Sequence, residues 1–190
     1  MKTYIYMVRH GESPKENENE RSRGLTEKGK RDSKKVCECL LDEGVEVFAS
    51  SPYRRAVMTM ERAAARLNKD IHVFEDLKER MFLPDEAIIS KENLLPLLER
   101  SFSDPDYTFP GGESNRACQD RALRVLLSLI KTNQGRKIAI GTHGAVMTLM
   151  MGKFNRDYGL AFLLSSSKPD LYKLEFDGIK LSSVTRLWHD

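Results

Sequence analysis

The chain alternates between two kinds of apolar pattern. Short continuous apolar runs, rich in β-branched and aromatic residues, are typical of strands that are buried on both faces. They predict strands over 4–8, 45–50, 71–74 and 137–141. Two later runs, 171–176 and 179–187, flank Asp177-Gly178, a dipeptide that favours the tight turn of a β-hairpin. The end of the chain is therefore predicted to be antiparallel.

Between the strands, apolar residues recur at the spacing of one helix face. A first helix is predicted after Thr26, and a second is predicted with Ser51 as its N-cap and Pro52 as its first residue. Further helices are predicted over 91–100, over 114–132 and from Thr142-His143-Gly144 onwards.

Strands that alternate with helices predict an α/β fold. We expect three layers, α/β/α, around a mostly parallel central sheet, with the antiparallel hairpin at one edge. No repeat or linker interrupts the 190 residues, so a single domain over 1–190 is expected. Proline, aspartate and glycine signals between 75 and 112 predict a small cap insertion within it.

Composition narrows the class of protein. Apolar residues make up 40% of the chain and charged residues 31%, as in soluble globular proteins. A net charge of only +3 argues against nucleic acid or a membrane surface as partner, so any anion site must be local. No apolar run approaches the roughly 20 residues that span a bilayer, and no signal peptide is apparent, so a cytoplasmic location is expected. The pattern carries no signal about oligomeric state. Cys37, Cys39 and Cys118 lack zinc-type spacing and are expected to be free thiols.

Side chains with acid–base and anion-binding chemistry follow the predicted strands. His10 comes just after the first strand, and Arg54 and Arg55 come just after the second. Glu79 follows the third strand and His143 the fourth. Because ligands of open α/β sheets bind at the carboxyl ends of the strands, we expect these side chains to meet. Guanidinium groups and helix N-termini bind phosphate, and a neutral imidazole can attack phosphorus.

Six short segments carry a more specific signal through their order along nearly the whole chain. They are VRHGES at 8–13, GLTEKG at 24–29, SSPYRRA at 50–56, LKER at 77–80, PGGES at 110–114 and GTHG at 141–144. In this order they resemble the motifs of the histidine phosphatase superfamily, also called the phosphoglycerate mutase-like family.

The resemblance implies a metal-independent enzyme without a cofactor. His10 is then the nucleophile, Glu79 is the proton donor, and the phosphoryl clamp consists of Arg9, Arg55 and His143. Further substrate contacts are expected from Gly11, Ser13, Arg54, Glu113, Thr142 and Gly144. Lys15, Arg21 and Arg23 are additional candidates for the substrate pocket. Where the family often has an asparagine, this chain has Glu16, and Asn17 comes one residue later.

The leading expectation is a phosphatase that hydrolyses phosphomonoesters, with a small phosphorylated metabolite as its partner, through a phosphohistidine on His10. A phosphoglycerate mutase, a protein phosphohistidine phosphatase and a non-catalytic module that binds phosphorylated ligands are the alternatives. The short cap favours hydrolysis, because a mutase must exclude water while it retains a bisphosphate. A metal site of His10, Glu79 and His143 is a chemically distinct rival, but the neighbouring arginines would repel a divalent cation.

Overall fold

The computed structural model describes residues 1–14, 19–83 and 91–189. Its strands are β1 (Lys2–Arg9), β2 (Val47–Ser50), β3 (Ile71–Val73), β4 (Lys137–Thr142), β5 (Asp170–Asp177) and β6 (Lys180–Arg186). Its helices are α1 (Glu27–Asp42), α2 (Arg54–Arg66), α3 (Lys91–Ser103), α4 (Asn115–Thr132), α5 (Gly144–Gly152) and α6 (Leu160–Ser165), and a 3₁₀ turn covers Glu75–Leu77. The strands predicted from the apolar runs are all present, with ends that differ by two residues at most.

The strands form a six-stranded sheet in the order β3-β2-β4-β1-β5-β6. β4 pairs in parallel with both β1 and β2, and β2 pairs in parallel with β3. β5 runs antiparallel to both β1 and β6. The prediction of a mostly parallel sheet with an antiparallel hairpin at one edge is confirmed.

The sheet is covered by helices on both faces. Consecutive residues of a strand point to opposite faces. Accordingly, Ile5 and Met7 of β1 pack with α4 and α5 in one buried cluster, whereas Tyr6 and Val8 pack with α1 and α2 in another. Because both faces are buried, residues 4–8 of this strand form a continuous apolar run. The predicted three-layer α/β/α arrangement is confirmed.

Capping residues determine where two of the long helices begin. The Thr26 side chain accepts a hydrogen bond from the Gly29 amide at the start of α1. Ser114 accepts one from the Ala117 amide at the start of α4. These side chains satisfy backbone donors that have no partner inside the helix. Both starting points agree with the sequence-based prediction.

The predicted start of α2 is wrong. The helix begins at Arg54 after Tyr53 as N-cap, and not at Pro52 after Ser51. The Ser51 hydroxyl oxygen accepts a hydrogen bond from the Tyr53 amide at 3.2 Å and lies 2.7 Å from Nε2 of His143. Ser51 therefore closes a short turn before the helix, because its side chain is held by a residue from a distant strand.

Part of the predicted cap over 75–112 lies outside the described residues, namely 84–90. The described part contains the 3₁₀ turn and α3, which ends at Ser103 rather than at residue 100. Leu98 of α3 packs against Ala145 of α5 and Leu163 of α6. α6 itself was not predicted from the sequence, since its six residues are too few to establish a helical period. Among the described residues, no helix combines the length and the apolar character needed to cross a membrane.

Candidate active site

Two histidines meet at the carboxyl edge of the sheet. β1 and β4 are parallel neighbours in which Arg9 lies opposite Thr142. The residues that follow, His10 and His143, therefore leave the sheet side by side, and their ring centroids are 5.2 Å apart. This is the meeting of strand ends that the order of the motifs predicts.

The hydrogen bonds of His10 define its tautomer. Nδ1 lies 2.7 Å from the carbonyl oxygen of Gly11, and Nε2 lies 3.2 Å from Nε of Arg55. Because a carbonyl can only accept and an arginine nitrogen can only donate, Nδ1 carries the proton and Nε2 presents its lone pair. Burial, reinforced by the charge of Arg55, lowers the pKa of His10 well below its ordinary value. His10 is thus a neutral imidazole with a directed lone pair.

Arg55 links His10 to the loop that precedes α1. Its side chain is almost fully buried and lies over the ring of Tyr53, with 4.8 Å from Cζ to the ring centroid. Nη1 donates to the backbone oxygen of Glu20 at 2.5 Å, and Nη2 donates to Oε2 of the same residue at 2.9 Å. A buried guanidinium with these bonds is held in one plane beside the lone pair of His10.

His143 is completely buried behind this pair. Nε2 lies 2.7 Å from Oγ of Ser51, while Nδ1 has no hydrogen-bond partner among the described residues. Burial, together with the charge of Arg55, lowers the pKa of His143 well below its ordinary value. The ring is therefore neutral at physiological pH. Its Nδ1 is still available for a hydrogen bond.

The guanidinium of Arg9 lies against Gly144, a residue without a side chain. Its Nη1 donates to the backbone oxygen of Ser166 at 2.8 Å and to the Ser166 hydroxyl. A Cβ atom placed on Gly144 would lie 2.8 Å from Nη2 of Arg9 and 3.0 Å from Cδ1 of Leu163. Glycine at 144 is therefore what permits the guanidinium to lie against the start of α5.

The carboxylate of Glu79 lies at the N-terminus of α5. It accepts long hydrogen bonds, both 3.3 Å, from the amides of Ala145 and Val146, and a 2.9 Å bond from the amide of Arg80. An acidic group at a helix N-terminus is stabilised by the free amides and the helix dipole. The amides that the sequence suggested for an anion at this helix are thus engaged by Glu79.

A cavity of about 360 Å³ opens over these side chains. Its lining residues are Arg9, His10, Glu12, Ser13, Glu20, Arg23, Arg55, Glu79 and Lys168. Of the predicted catalytic residues, His10, Glu79, Arg9 and Arg55 line it directly, and His143 adjoins His10 without lining it. Guanidinium and ammonium groups beside a neutral imidazole and a carboxylate can bind a phosphoryl dianion and exchange a proton with it.

Of the further residues predicted to contact substrate, some line the cavity and others lie outside its lining. Ser13 lines the cavity, donating to the Gly24 carbonyl at 2.5 Å and accepting from Arg23 at 2.7 Å. The Gly11 amide donates to Thr59, and the Thr142 hydroxyl donates to the Leu77 carbonyl. Arg54 is exposed on α2 outside the cavity lining, and the Glu113 carboxylate pairs with Arg121.

Some residues of the cavity were missed by sequence reasoning. Glu20 carried no motif signal, and Lys168 lies in a loop far along the chain. Lys168 reaches the cavity because β5 pairs with β1, with Asp170 opposite Arg9. Arg23 was a candidate and does line the cavity, whereas Arg21 pairs with the exposed Glu75.

Lys15, Glu16 and Asn17 lie outside the described residues. Within 1–14, 19–83 and 91–189, no three His, Cys, Asp or Glu side chains are grouped closely enough to hold a metal ion.

Comparison with known proteins agrees with this geometry. A model of the histidine phosphatase superfamily (branch 1) matches residues 5–186. The chain is 27% identical over 154 residues to the uncharacterized phosphatase PhoE of Bacillus subtilis (strain 168), covering 78% of this chain and 76% of that protein. It is 28% identical over 156 residues to the probable phosphoglycerate mutase GpmB of Salmonella paratyphi B, covering 75% and 70%. The solved structure of Bacillus stearothermophilus YhfR is 26% identical, with a TM-score of 0.78 over 95% of this chain and 94% of that one.

The family match includes residues of all six strands and covers every motif that delivers a side chain to the cavity. The chain therefore belongs to the histidine phosphatase superfamily.

Proposed function

We propose that this protein is a metal-independent phosphatase that hydrolyses a small phosphomonoester through a phosphohistidine on His10. One observation carries the proposal: His10 is neutral, presents the lone pair of Nε2, and lies in a cavity lined by Arg9 and Arg55. A nucleophile beside fixed cations is what phosphoryl transfer requires, because the reaction depends on positioning and on charge stabilisation.

In the first step, Nε2 of His10 attacks phosphorus and the bond from phosphorus to the ester oxygen breaks. Glu79, entering as the carboxylic acid, gives its proton to the departing oxygen, so that the product is an alcohol. The ring becomes a phosphorylated imidazolium, whose Nδ1–H remains bonded to the Gly11 carbonyl. Arg9 and Arg55, which line the cavity, stabilise the negative charge on the phosphoryl oxygens, and the resemblance to the family gives the adjoining His143 the same role.

In the second step, the Glu79 carboxylate takes a proton from water, and the resulting hydroxide attacks phosphorus. The P–N bond breaks, inorganic phosphate leaves, and His10 returns to the neutral tautomer with which it began. Glu79 ends as the acid, ready for the next cycle. The proposed catalytic unit is the single domain over 1–190, which contains the cap insertion over 75–112, in a cytoplasmic protein without a cofactor.

Phosphate release from a panel of substrates tests this proposal. The panel contains sugar phosphates, phosphoglycerates, nucleotides, phosphopeptides and a protein phosphohistidine, each assayed with and without a chelator. We expect release from at least one phosphomonoester, no effect of the chelator, and a phosphoryl group on His10 after an alkaline quench, since phosphohistidine survives alkali. The His10→Ala variant should release no phosphate. Full turnover by that variant, or loss of activity with the chelator, contradicts the proposal.

A phosphoglycerate mutase is the second candidate, because a relative at 28% identity is named a probable mutase. Isomerisation of a monophosphoglycerate that depends on a bisphosphate primer, with little phosphate released, would favour it. Equal failure of both assays would favour the phospho-ligand binding module.

A further inference from the structure

Arg121 connects the interior of α4 to the backbone around Glu79. Its side chain is buried, and Nη1 donates to the carbonyl oxygens of Asp76 at 2.6 Å and Lys78 at 2.9 Å. Nη2 donates to the carbonyl oxygen of Glu79 itself at 3.3 Å. One guanidinium therefore binds three backbone carbonyls of the segment that carries the proposed general acid.

Glu113 holds this guanidinium from the other side. Its Oε1 accepts from Nε of Arg121 at 2.5 Å, and its Oε2 accepts from Nη2 at 2.8 Å. This two-point geometry fixes the plane of the guanidinium. The Glu113 amide also donates to the Met81 carbonyl at 2.7 Å, and the Glu113 carbonyl accepts from Nε of Arg80 at 3.1 Å. Arg121 thus binds the backbone before Glu79, and Glu113 binds residues after it.

The segment needs such a support. Residues 78–83 lie in neither a helix nor a strand, so their backbone groups have no regular ladder. The bonds that the Glu79 carboxylate accepts from the α5 amides are long, 3.3 Å each, and its shorter bond, 2.9 Å, comes from the Arg80 amide of the same irregular segment. Arg121 does not line the cavity, so it has no direct contact with a substrate there, and its hydrogen bonds connect it to the segment that carries Glu79.

We propose that Arg121 and Glu113 are positioning residues that hold Glu79 where it can protonate the leaving group. The inference rests on the proposed function, since it assumes that Glu79 is the general acid. It gives Glu113, which the family resemblance suggested as a substrate contact, a role inside the protein. A lysine at 121 would keep the charge but lose the planar fork that reaches several carbonyls at once.

The test is the dependence of kcat/KM on the leaving group, which reports the step in which the ester bond breaks. Arg121→Lys and Glu113→Gln are each assayed with p-nitrophenyl phosphate, whose leaving group departs without a proton, and with an alkyl phosphate, whose leaving group needs one. Misplacement of a catalytic group by about 1 Å can lower the rate on the order of 100-fold. We therefore expect kcat/KM for the alkyl phosphate to fall by about that factor when Glu79 is displaced. For p-nitrophenyl phosphate the loss should be within a few-fold, and inhibition by inorganic phosphate should be unchanged.

Arg124→Lys is the matched control. Arg124 lies on the same helix and contacts Asp76, but through an exposed carboxylate rather than the backbone, with Nη2 at 3.4 Å from Oδ2. It should behave like wild type. Equal losses on both substrates for Arg121→Lys and Glu113→Gln, or no loss on either, would overturn the inference. If Arg121→Lys does not fold, the two kcat/KM values of Glu113→Gln alone test the positioning role.

Glu79→Gln separates failure of this inference from failure of the proposed function. If Glu79→Gln shows the selective loss on the alkyl phosphate and both positioning variants do not, only the positioning role is lost. If Glu79→Gln itself shows no such selectivity, the general acid assignment fails and the inference fails with it.

Discussion

Nε2 of His10 accepts a hydrogen bond from Nε of Arg55 at 3.2 Å, at the edge of a cavity lined by both residues. Since arginine nitrogen only donates, this contact keeps the nucleophilic lone pair free of a proton and turned toward a positive charge. In the proposed mechanism, a phosphoryl group that enters the cavity displaces this contact, and the guanidinium then binds the phosphoryl oxygens. Four predictions follow from the surroundings of this pair.

Arg55→Lys should lower kcat/KM by about 100-fold to 1000-fold, the loss typical when one oriented donor to a transition-state anion is removed. The charge is retained in this variant, so the loss measures the geometry of the guanidinium fork. Steady-state kinetics with p-nitrophenyl phosphate give the value. Arg62→Lys, an exposed position on the same helix, is the control. Wild-type kinetics for Arg55→Lys would contradict the role of the fork.

Glu20→Gln should tighten the binding of inorganic phosphate by about fivefold, as expected when a partly exposed ion pair worth about 1 kcal/mol stops competing for the same cations. Oε2 of Glu20 accepts from both Arg23 and Arg55 at 2.9 Å. Although burial opposes its ionisation, hydrogen bonds from Arg23 and the charge of Arg55 keep the pKa of Glu20 below its ordinary value. The carboxylate is therefore charged at the place where we propose that phosphate binds.

Calorimetric titration with phosphate measures this effect without any turnover. Glu75→Gln is the control, since Glu75 pairs with Arg21 at an exposed site. Weaker phosphate binding in Glu20→Gln would mean that Glu20 supports Arg55 and does not compete with the ligand.

Gly144→Ala should weaken phosphate binding by roughly tenfold and destabilise the fold by about 1–3 kcal/mol, the usual cost of an added methyl group in a packed site. The new Cβ would lie 2.8 Å from Nη2 of Arg9, which is tied to Ser166 and has little room to move. Binding titrations and denaturant unfolding check the two effects. Gly159→Ala is the control, because its Cβ would meet only the Arg156 carbonyl at 3.8 Å. Unchanged binding in Gly144→Ala would contradict the close approach.

Stability should fall as the pH drops below about 6.5, the ordinary pKa of histidine. Burial lowers the pKa of both His10 and His143 well below that value, so in this range the unfolded chain binds protons that the folded chain does not. The free energy of unfolding then decreases by up to about 1.4 kcal/mol per pH unit for each imidazole. Urea unfolding on both sides of this pH measures the slope.

His10→Ala should make this pH dependence shallower than in the wild type, because one of the two buried imidazoles is then absent. An equal slope in wild type and His10→Ala would mean that other groups carry the acid sensitivity.

Local pattern was sufficient for the elements that deliver the site. The run that ends at His10 is apolar because β1 is buried on both faces, and this burial is encoded residue by residue. Thr26 and Ser114 cap their helices through contacts that span only three residues. Since histidine motifs follow two such strands, their meeting could be anticipated from the rule for strand ends.

Local pattern did not predict the contacts that a side chain makes with a residue far away in the sequence. Serine is a residue type that favours the N-cap position, but the hydroxyl of Ser51 lies against His143, 92 positions away in the chain. Glu113, for which the family resemblance suggested a substrate contact, has its carboxylate bonded to the buried Arg121, a contact that no local pattern indicates.

By itself, the sequence determined the order of the strands and of α1 to α5, the family, and the presence of two imidazoles and two guanidinium groups at one edge of the sheet. These properties depend on short-range patterns, which the chain carries in every segment. Only the tertiary structure decided that Glu20 and Lys168 share the cavity with His10, and that Arg121 holds the backbone of Glu79. Such contacts join segments whose approach is set by sheet pairing and helix packing, which no local pattern encodes.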